Sequence, residues 1–405
     1  MATSVHELEL PELDLLGVER FEALAAVAQA RSSSWLARGQ LGYMVTTYED
    51  STAILRDRRF HSALVMIPQM QGIEVDPLEG RRRRSILGME GDEHARLRRL
   101  MAPAFTPAAA DKLRPFMRQV MNDLLDEVVP RGSCDFVDDV CEPYPIPIIC
   151  ELLGAPKEDW KQFSAWATDI FRIFNQSLME DLPAIEAATA ELDDYVRAMV
   201  ERRRHEPADD LLSALIAVEE EGDRLSTDEL VSLAQTVLMA GTDTTRNQLA
   251  CCVALFLEHP EQWAKLAHEP AMAARAVEES MRVLGAVRGT IRFASEDIEY
   301  RDVLFPKGTL VSVSLAGANY DPAVFSEPED FEIEAKRAAQ QLTFGSGIHH
   351  CLGAQLARAE LQEALPLVAR RLPGLELDGP VEWKPPTVGI WGPAHLPLRW
   401  QGVGG

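Results

Sequence analysis

The longest helix signal in this chain sets the scale of whatever encloses it. Ser226, Thr227, Asp228 and Glu229 form a capping box, in which serine and glutamate each serve the other's backbone N–H. The helical pattern then runs to about residue 258 and is stopped by Pro260. At 1.5 Å per residue such a helix spans roughly 48 Å, enough to cross a whole domain. Helix-period apolar positions also mark residues 111–129, 159–174 and 181–204. Strand signals form islands at both ends of this helical body. They lie at 42–47, at 291–293, 298–300 and 309–313, and at 388–390 and 396–400. The expected class is mainly α with small β-sheets.

Charge and cysteine usage narrow the function. The formal net charge of −24 over 405 residues argues against nucleic acid as a partner, although a local basic patch could still dock an acidic protein. The first 17 residues are acidic and carry no apolar secretory core, and no run approaches the 18 apolar residues of a membrane span. A cytoplasmic protein without a membrane anchor is expected. The six cysteines form no CxxC pair. Cys134, Cys141, Cys150, Cys251 and Cys252 read as small, reduced core residues.

Cys351 is different. It sits in FGSGIHHCLGAQLAR, residues 344–358, where Gly345, Gly347 and Gly353 allow a tight loop and close approach to a flat ligand. A helical pattern begins after Gly353 and runs to about residue 371. A thiolate at the mouth of a helix N-terminus is favoured by the dipole and free N–H groups, and can ligate haem iron. A zinc site from His349, His350 and Cys351 is the alternative, but adjacent ligands do not readily wrap one tetrahedral ion.

Three further constellations stand out. Ala240-Gly241-Thr242-Asp243-Thr244-Thr245 lies inside the long helix. Glycine there costs roughly 1 kcal/mol relative to alanine, and threonines bond back to the preceding turn, so a local distortion is expected. An acid beside an alcohol can relay protons. Glu279 and Arg282 share a helix face, as do His94 and Arg98, whose two cationic donors suit an anionic group. The Arg81 to Arg84 run reads as a solvated loop.

Together these motifs resemble the cytochrome P-450 family, in the family's order and over nearly the whole chain. The haem-loop pattern FGxGxHxCxGxxLA matches at Phe344, Gly345, Gly347, His349, Cys351, Gly353, Leu356 and Ala357, and AGx(D/E)T(T/S) matches throughout residues 240–245. The resemblance implies one catalytic domain over residues 1–405 holding haem b (iron protoporphyrin IX). Cys351 would be the iron ligand, with Phe344 packed beside it. His94, Arg98, Arg292 and His349 would meet the propionates, and Asp243 and Thr244 would deliver protons. Glu279 and Arg282 would form a buried lock. Its usual third arginine is replaced by Ala335, so Lys336 or Arg337 must substitute. Two other departures, residues 89–92 and Tyr320 between Asn319 and Asp321, do not touch the chemistry.

The implied activity is a haem-thiolate monooxygenase that uses O2 to oxidise a small, largely apolar substrate. NAD(P)H-derived electrons would come through a separate ferredoxin or flavodoxin, and a monomer is expected. Arg96, Arg99, Lys112, His350 and Arg358 are candidate docking cations. Two rivals are a peroxide-driven hydroxylase or decarboxylase, which the Asp243–Thr244 pair argues against, and a non-catalytic haem sensor or electron carrier. Pocket walls are expected from residues 64–70, Phe171, Phe174, Val237, Ala240, Val287, Arg288, Thr290, Ile390 and Trp391. Arg288 needs a polar partner: a propionate, a protein carboxylate or a polar group of the substrate.

Overall fold

The computed structural model describes residues 2–401 apart from 16, 71, 74–75, 175–177, 221–224 and 386–389, and apart from the side chains of Phe174 and Glu220. The elements that bear on the site are, in chain order, α1 (Arg20–Ser33), β1 (Leu36–Gly39), β2 (Gly42–Val45), β3 (Phe60–Ser62), α2 (Gly91–Met101), α3 (Pro107–Val128) and α4 (Pro145–Leu153), followed by α5 (Leu178–His205), α6 (Thr227–Glu258), α7 (Ala273–Val283), β4 (Gly289–Ala294), β5 (Leu310–Ser314) and α8 (Ala354–Arg371). The class is mainly α with small sheets, as expected. Among the described residues no helix is long and apolar enough to cross a membrane.

The long helix is α6. Ser226 caps it through the reciprocal bonds of a capping box with Glu229. Its buried residues run from Leu230 to Phe256 and face in every direction. A helix apolar on all sides must lie inside the protein, and α6 is surrounded by α4, α5, α7, α8 and the helix Trp160–Phe171. Each fully buried Leu, Val or Phe there contributes about 1.5–3 kcal/mol of transfer free energy. The distortion expected around residues 240–245 is not present: α6 is α-helical throughout. Thr242 and Thr244 do bond back, to Leu238 O at 2.6 Å and Ala240 O at 2.8 Å. Gly241 has a packing reason instead. A Cβ at 241 would sit 2.3 Å from Ile149 Cδ1, so glycine is what lets α4 lie directly on α6.

A five-stranded sheet stands beside this helical body in the order β1-β2-β5-β4-β3. The β1–β2 hairpin pairs Leu36 with Val45. The β2–β5 contact is parallel, Tyr43 against Val311, and β5–β4 is antiparallel, Arg292 against Val311. Of the closing strand expected at 388–390, residues 388 and 389 lie outside the described residues, and Ile390 bridges Val287. The Arg81 to Arg84 run is not a solvated loop. It forms the helix Glu79–Arg84, and its charges are used: Arg81 pairs with Asp193 at 2.8 Å, Arg82 is buried on Asp76, and Arg83 pairs with Glu79.

Glu279 and Arg282 form a two-toothed ion pair inside the protein, with both N–O distances 2.9 Å. Arg337 takes the place left open by Ala335, donating from Nη2 to Glu279 Oε1 at 2.7 Å and from Nε to Oε2 at 3.3 Å. Arg282 also reaches the carbonyls of Asn319, Pro328 and Asp330. Burial alone would raise the Glu279 carboxyl, but the two guanidiniums more than offset it and hold it below its ordinary range. Removing one partner of a buried charge leaves the other uncompensated. Arg337→Ala should therefore lower unfolding stability by about 1–3 kcal/mol in urea titrations, with Arg337→Lys retaining part of the loss. Unchanged stability in Arg337→Ala would show that Arg282 alone satisfies Glu279.

Candidate active site

A cavity of about 690 Å³ lies between α6 and the loop that leads into α8. The loop folds as its glycines suggest. Gly347 adopts a φ of +72°, and a Cβ there would come within 2.1 Å of Leu55 O, so no other residue fits without moving the chain. Cys351 N donates to Phe344 O at 2.9 Å and closes the loop. Cys351 is exposed, with its residue on the cavity wall, whereas the other five free cysteines are buried or half-buried. Surrounding protein raises its thiol pKa, while the Gly353 N–H, Arg98 and Arg358 pull it down. Phe344 also lines the cavity, beneath the Arg358 guanidinium at 4.5 Å. His349, His350 and Cys351 do not bring three ligand atoms within 4.8 Å of one another, which removes the zinc alternative.

Donors without acids gather at the cavity edge. Arg98 and Arg292 both line it, and neither has a carboxylate within 4 Å among the described residues. Arg98 donates to the His350 carbonyl. Arg292 donates to Thr290 Oγ1 at 2.8 Å and Ile291 O at 3.1 Å, and burial pushes its guanidinium down to about 10. His94 is buried with Nε2 unpartnered, and burial, then His349 and Arg98, push it down to about 4. The His349 ring lies tilted against His94, centroids 4.6 Å apart, but its own Nε2 is engaged with Glu90 at 2.9 Å. Unmatched donors beside a thiol and apolar walls fit a flat ligand with acidic arms, and haem has those features.

On the facing wall, Thr244 lines the cavity from α6. Asp243 does not line it: its carboxylate is buried against Arg246, and the Lys384 ammonium lies near enough to feel it. The acid and the alcohol are adjacent along α6 without a direct hydrogen bond between their side chains. A second carboxyl was not anticipated from the sequence. Glu360 on α8 is 1% exposed, lines the cavity, and accepts only from Thr245 Oγ1 at 3.2 Å, leaving Oε1 unpartnered. Burial pushes it up to about 8. The available signal was one charge on a face otherwise made of Leu356, Ala359, Leu361 and Ala364.

The remaining walls are mostly apolar. Val237, Ala240, Val287, Thr290, Ile390 and Phe171 line the cavity, together with Leu64, Ile67, Met70, Ile86 and Leu87. The side chain of Phe174 lies outside the described residues. Two expected wall residues are elsewhere. Trp391 is buried in a parallel stack on Trp383 at 4.5 Å, and Arg288 lies over the Trp391 ring, facing a separate, smaller cavity.

Comparison with known proteins identifies the family. Residues 150–373 match the family model for cytochrome P-450. Luteothin monooxygenase of Streptomyces thioluteus is 35% identical, over 98% of this chain and 99% of its own. The 6-deoxyerythronolide B hydroxylase of Saccharopolyspora erythraea is 34% identical over 99% of this chain and 100% of its own. Among solved structures, CalO2 superposes with a TM-score of 0.87 at 31% identity, covering 94% of this chain and 96% of that one. The chain belongs to the cytochrome P-450 family. It is a monooxygenase of the bacterial kind, and the family implies haem, O2 and a redox partner.

Glu360 gives the site a measurable pH signature. In the folded protein it keeps its proton up to about pH 8, whereas an unfolded chain loses it near 4.5. Between those values the folded state binds the extra proton, so stability falls as pH rises, by at most about 1.4 kcal/mol per pH unit. Glu360→Gln cannot ionise. Its melting temperature should match wild type near pH 5 and exceed it increasingly towards pH 8. A constant difference across that range would mean Glu360 is not held neutral.

Proposed function

We propose that this enzyme is a single haem-thiolate catalytic domain over residues 1–405 that uses O2 to insert one oxygen atom into a small, largely apolar molecule. The observation that carries the reading is one cavity bounded by a free thiol, Cys351, by acid-free donors at Arg98 and Arg292, and by the Thr244 hydroxyl. Haem bound there would supply the redox iron for dioxygen activation, and the Cys351 sulfur would hold it and donate electron density to it. Cys351 is the ligand in this reading, and the Gly353 N–H and two nearby arginines favour its anionic form. Arg98, Arg292 and His94 hold the propionates. Thr244 holds a proton at Oγ1, at the cavity surface. Asp243, buried beside Arg246, would take up a proton and pass it on to Thr244 by a change of side-chain rotamer or through water. The apolar walls exclude bulk water and orient the substrate by shape.

Electrons are expected from NAD(P)H through a separate ferredoxin or flavodoxin. Of the candidate docking cations, Arg96 is taken up by Glu229 and Arg358 by Glu278, while Arg99 and Lys112 are exposed without an acidic partner within 4 Å among the described residues. Against a net charge of −24, those two are the residues able to steer an acidic donor.

Cys351→Ser tests the ligand. The variant should lose the red-shifted Soret band of the ferrous–CO form, because that shift needs thiolate donation. Persistence of the band would assign the iron to another residue. Thr244→Ala tests the proton's route. Substrate affinity, read from the haem spectrum, should be unchanged, but product per electron consumed should fall by roughly 10²-fold as oxygen is released as hydrogen peroxide. Fully coupled turnover would remove Thr244 from the relay.

A further inference from the structure

A second cavity, of about 130 Å³, lies between α1 and one face of the five-stranded sheet. Its walls are largely apolar, with Leu13, Leu15, Leu24 and Val27 on one side and the sheet on the other. Arg288 is the one charged side chain that lines it. This guanidinium makes no hydrogen bond and has no carboxylate within 4 Å among the described residues, and its recorded contact is the Trp391 ring at 5.1 Å. The charge that acts on it most strongly has the same sign. Arg20, itself buried, donates only to Val283 O at 3.4 Å and sits close enough to add to the lowering that burial imposes on Arg288. Glu19 is close enough to oppose this weakly, but it is exposed and forms no pair with Arg288.

Arginine has five N–H donors in a planar fork, and a ring face satisfies none of them. A half-buried guanidinium without acceptors, beside a second one, makes a site for an anion. Bidentate carboxylate recognition is what the fork's geometry suits. The leucines around it can bury a short hydrocarbon chain. Of the three partners open to Arg288, a protein carboxylate is absent among the described residues, and the main cavity that would hold a propionate or substrate is not the one Arg288 lines. We propose that the cavity beneath α1 is a second binding site, for a short aliphatic carboxylate, anchored by Arg288. Leu41, Gly289, Thr290 and Ile291 line both cavities, so a ligand beneath α1 presses on the strand that walls the main one. Occupancy of the site does not depend on the oxygen chemistry.

The test is calorimetric titration of the haem-loaded enzyme with hexanoate and, separately, hexanol. Hexanoate should bind wild type at least about tenfold more tightly than hexanol. Arg288→Gln should erase that preference, and Arg288→Lys should keep part of it, which separates lost charge from lost fold. Leu24→Trp, filling the second cavity from α1, should abolish hexanoate binding. Val237→Trp, narrowing the main cavity, should leave it intact. No hexanoate binding to wild type at millimolar concentration, an unchanged preference in Arg288→Gln, or loss of binding in Val237→Trp rather than Leu24→Trp would each overturn the site. None of these readings requires turnover, so they stand apart from the outcome at Cys351.

Discussion

Glu279, 4% exposed, holds its charge inside the protein because two guanidiniums share it. A single buried ion pair often fails to repay its desolvation. Here the second arginine supplies the surplus, and Arg282 spends its remaining donors on three carbonyls between Asn319 and Asp330. The knot therefore fastens α7 to the irregular chain that runs on into the cysteine loop. That chain has few ladder bonds of its own, and the knot acts with side-chain anchors further along it, such as Asn319 on Leu342 N and Thr343 on Met281 O, to hold the approach to the loop.

The carboxyls nearest the cavity illustrate how environment assigns roles. Asp243 and Glu360 are both buried, yet Asp243 faces Arg246 and Lys384 while Glu360 has only a threonine hydroxyl. Arg246 and Lys384 set cations beside the first, whereas burial with no cation at hand favours the protonated form of the second. Asp243 precedes Thr244 on α6 and Glu360 meets Thr245 from α8, so the difference between them is set by which cations the neighbouring elements supply.

Local signals were legible where a few consecutive residues decide the outcome. The cap at Ser226 and the stop at Pro260 bound α6, and the glycines of the cysteine loop lead into α8 as read. The pairs 94–98 and 279–282 lie on helices because their spacing is helical. Features decided by distant chain were not legible. Gly241 read as a distortion because Ile149, which explains it, is 92 residues away. Arg337 could not be told from Lys336 until the fold showed which one reaches Glu279. The four arginines at 81–84 read as solvated because Asp193, one of their partners, belongs to α5. Arg288 was expected on the wall of the main cavity, but the stack of Trp383 on Trp391 offers its guanidinium a ring face elsewhere.

The contact of Ile149 with Gly241 has a bearing on how this cavity can vary. With only the Ile149 side chain between them the two helices leave little slack, so the cavity wall at Gly241 is held by how closely α4 lies on α6. Adaptation to longer or broader molecules must come sideways, through Leu64, Ile67, Met70, Ile86 and Leu87, which belong to short elements joined by loops. In this chain, selectivity is adjustable in plan but not in elevation.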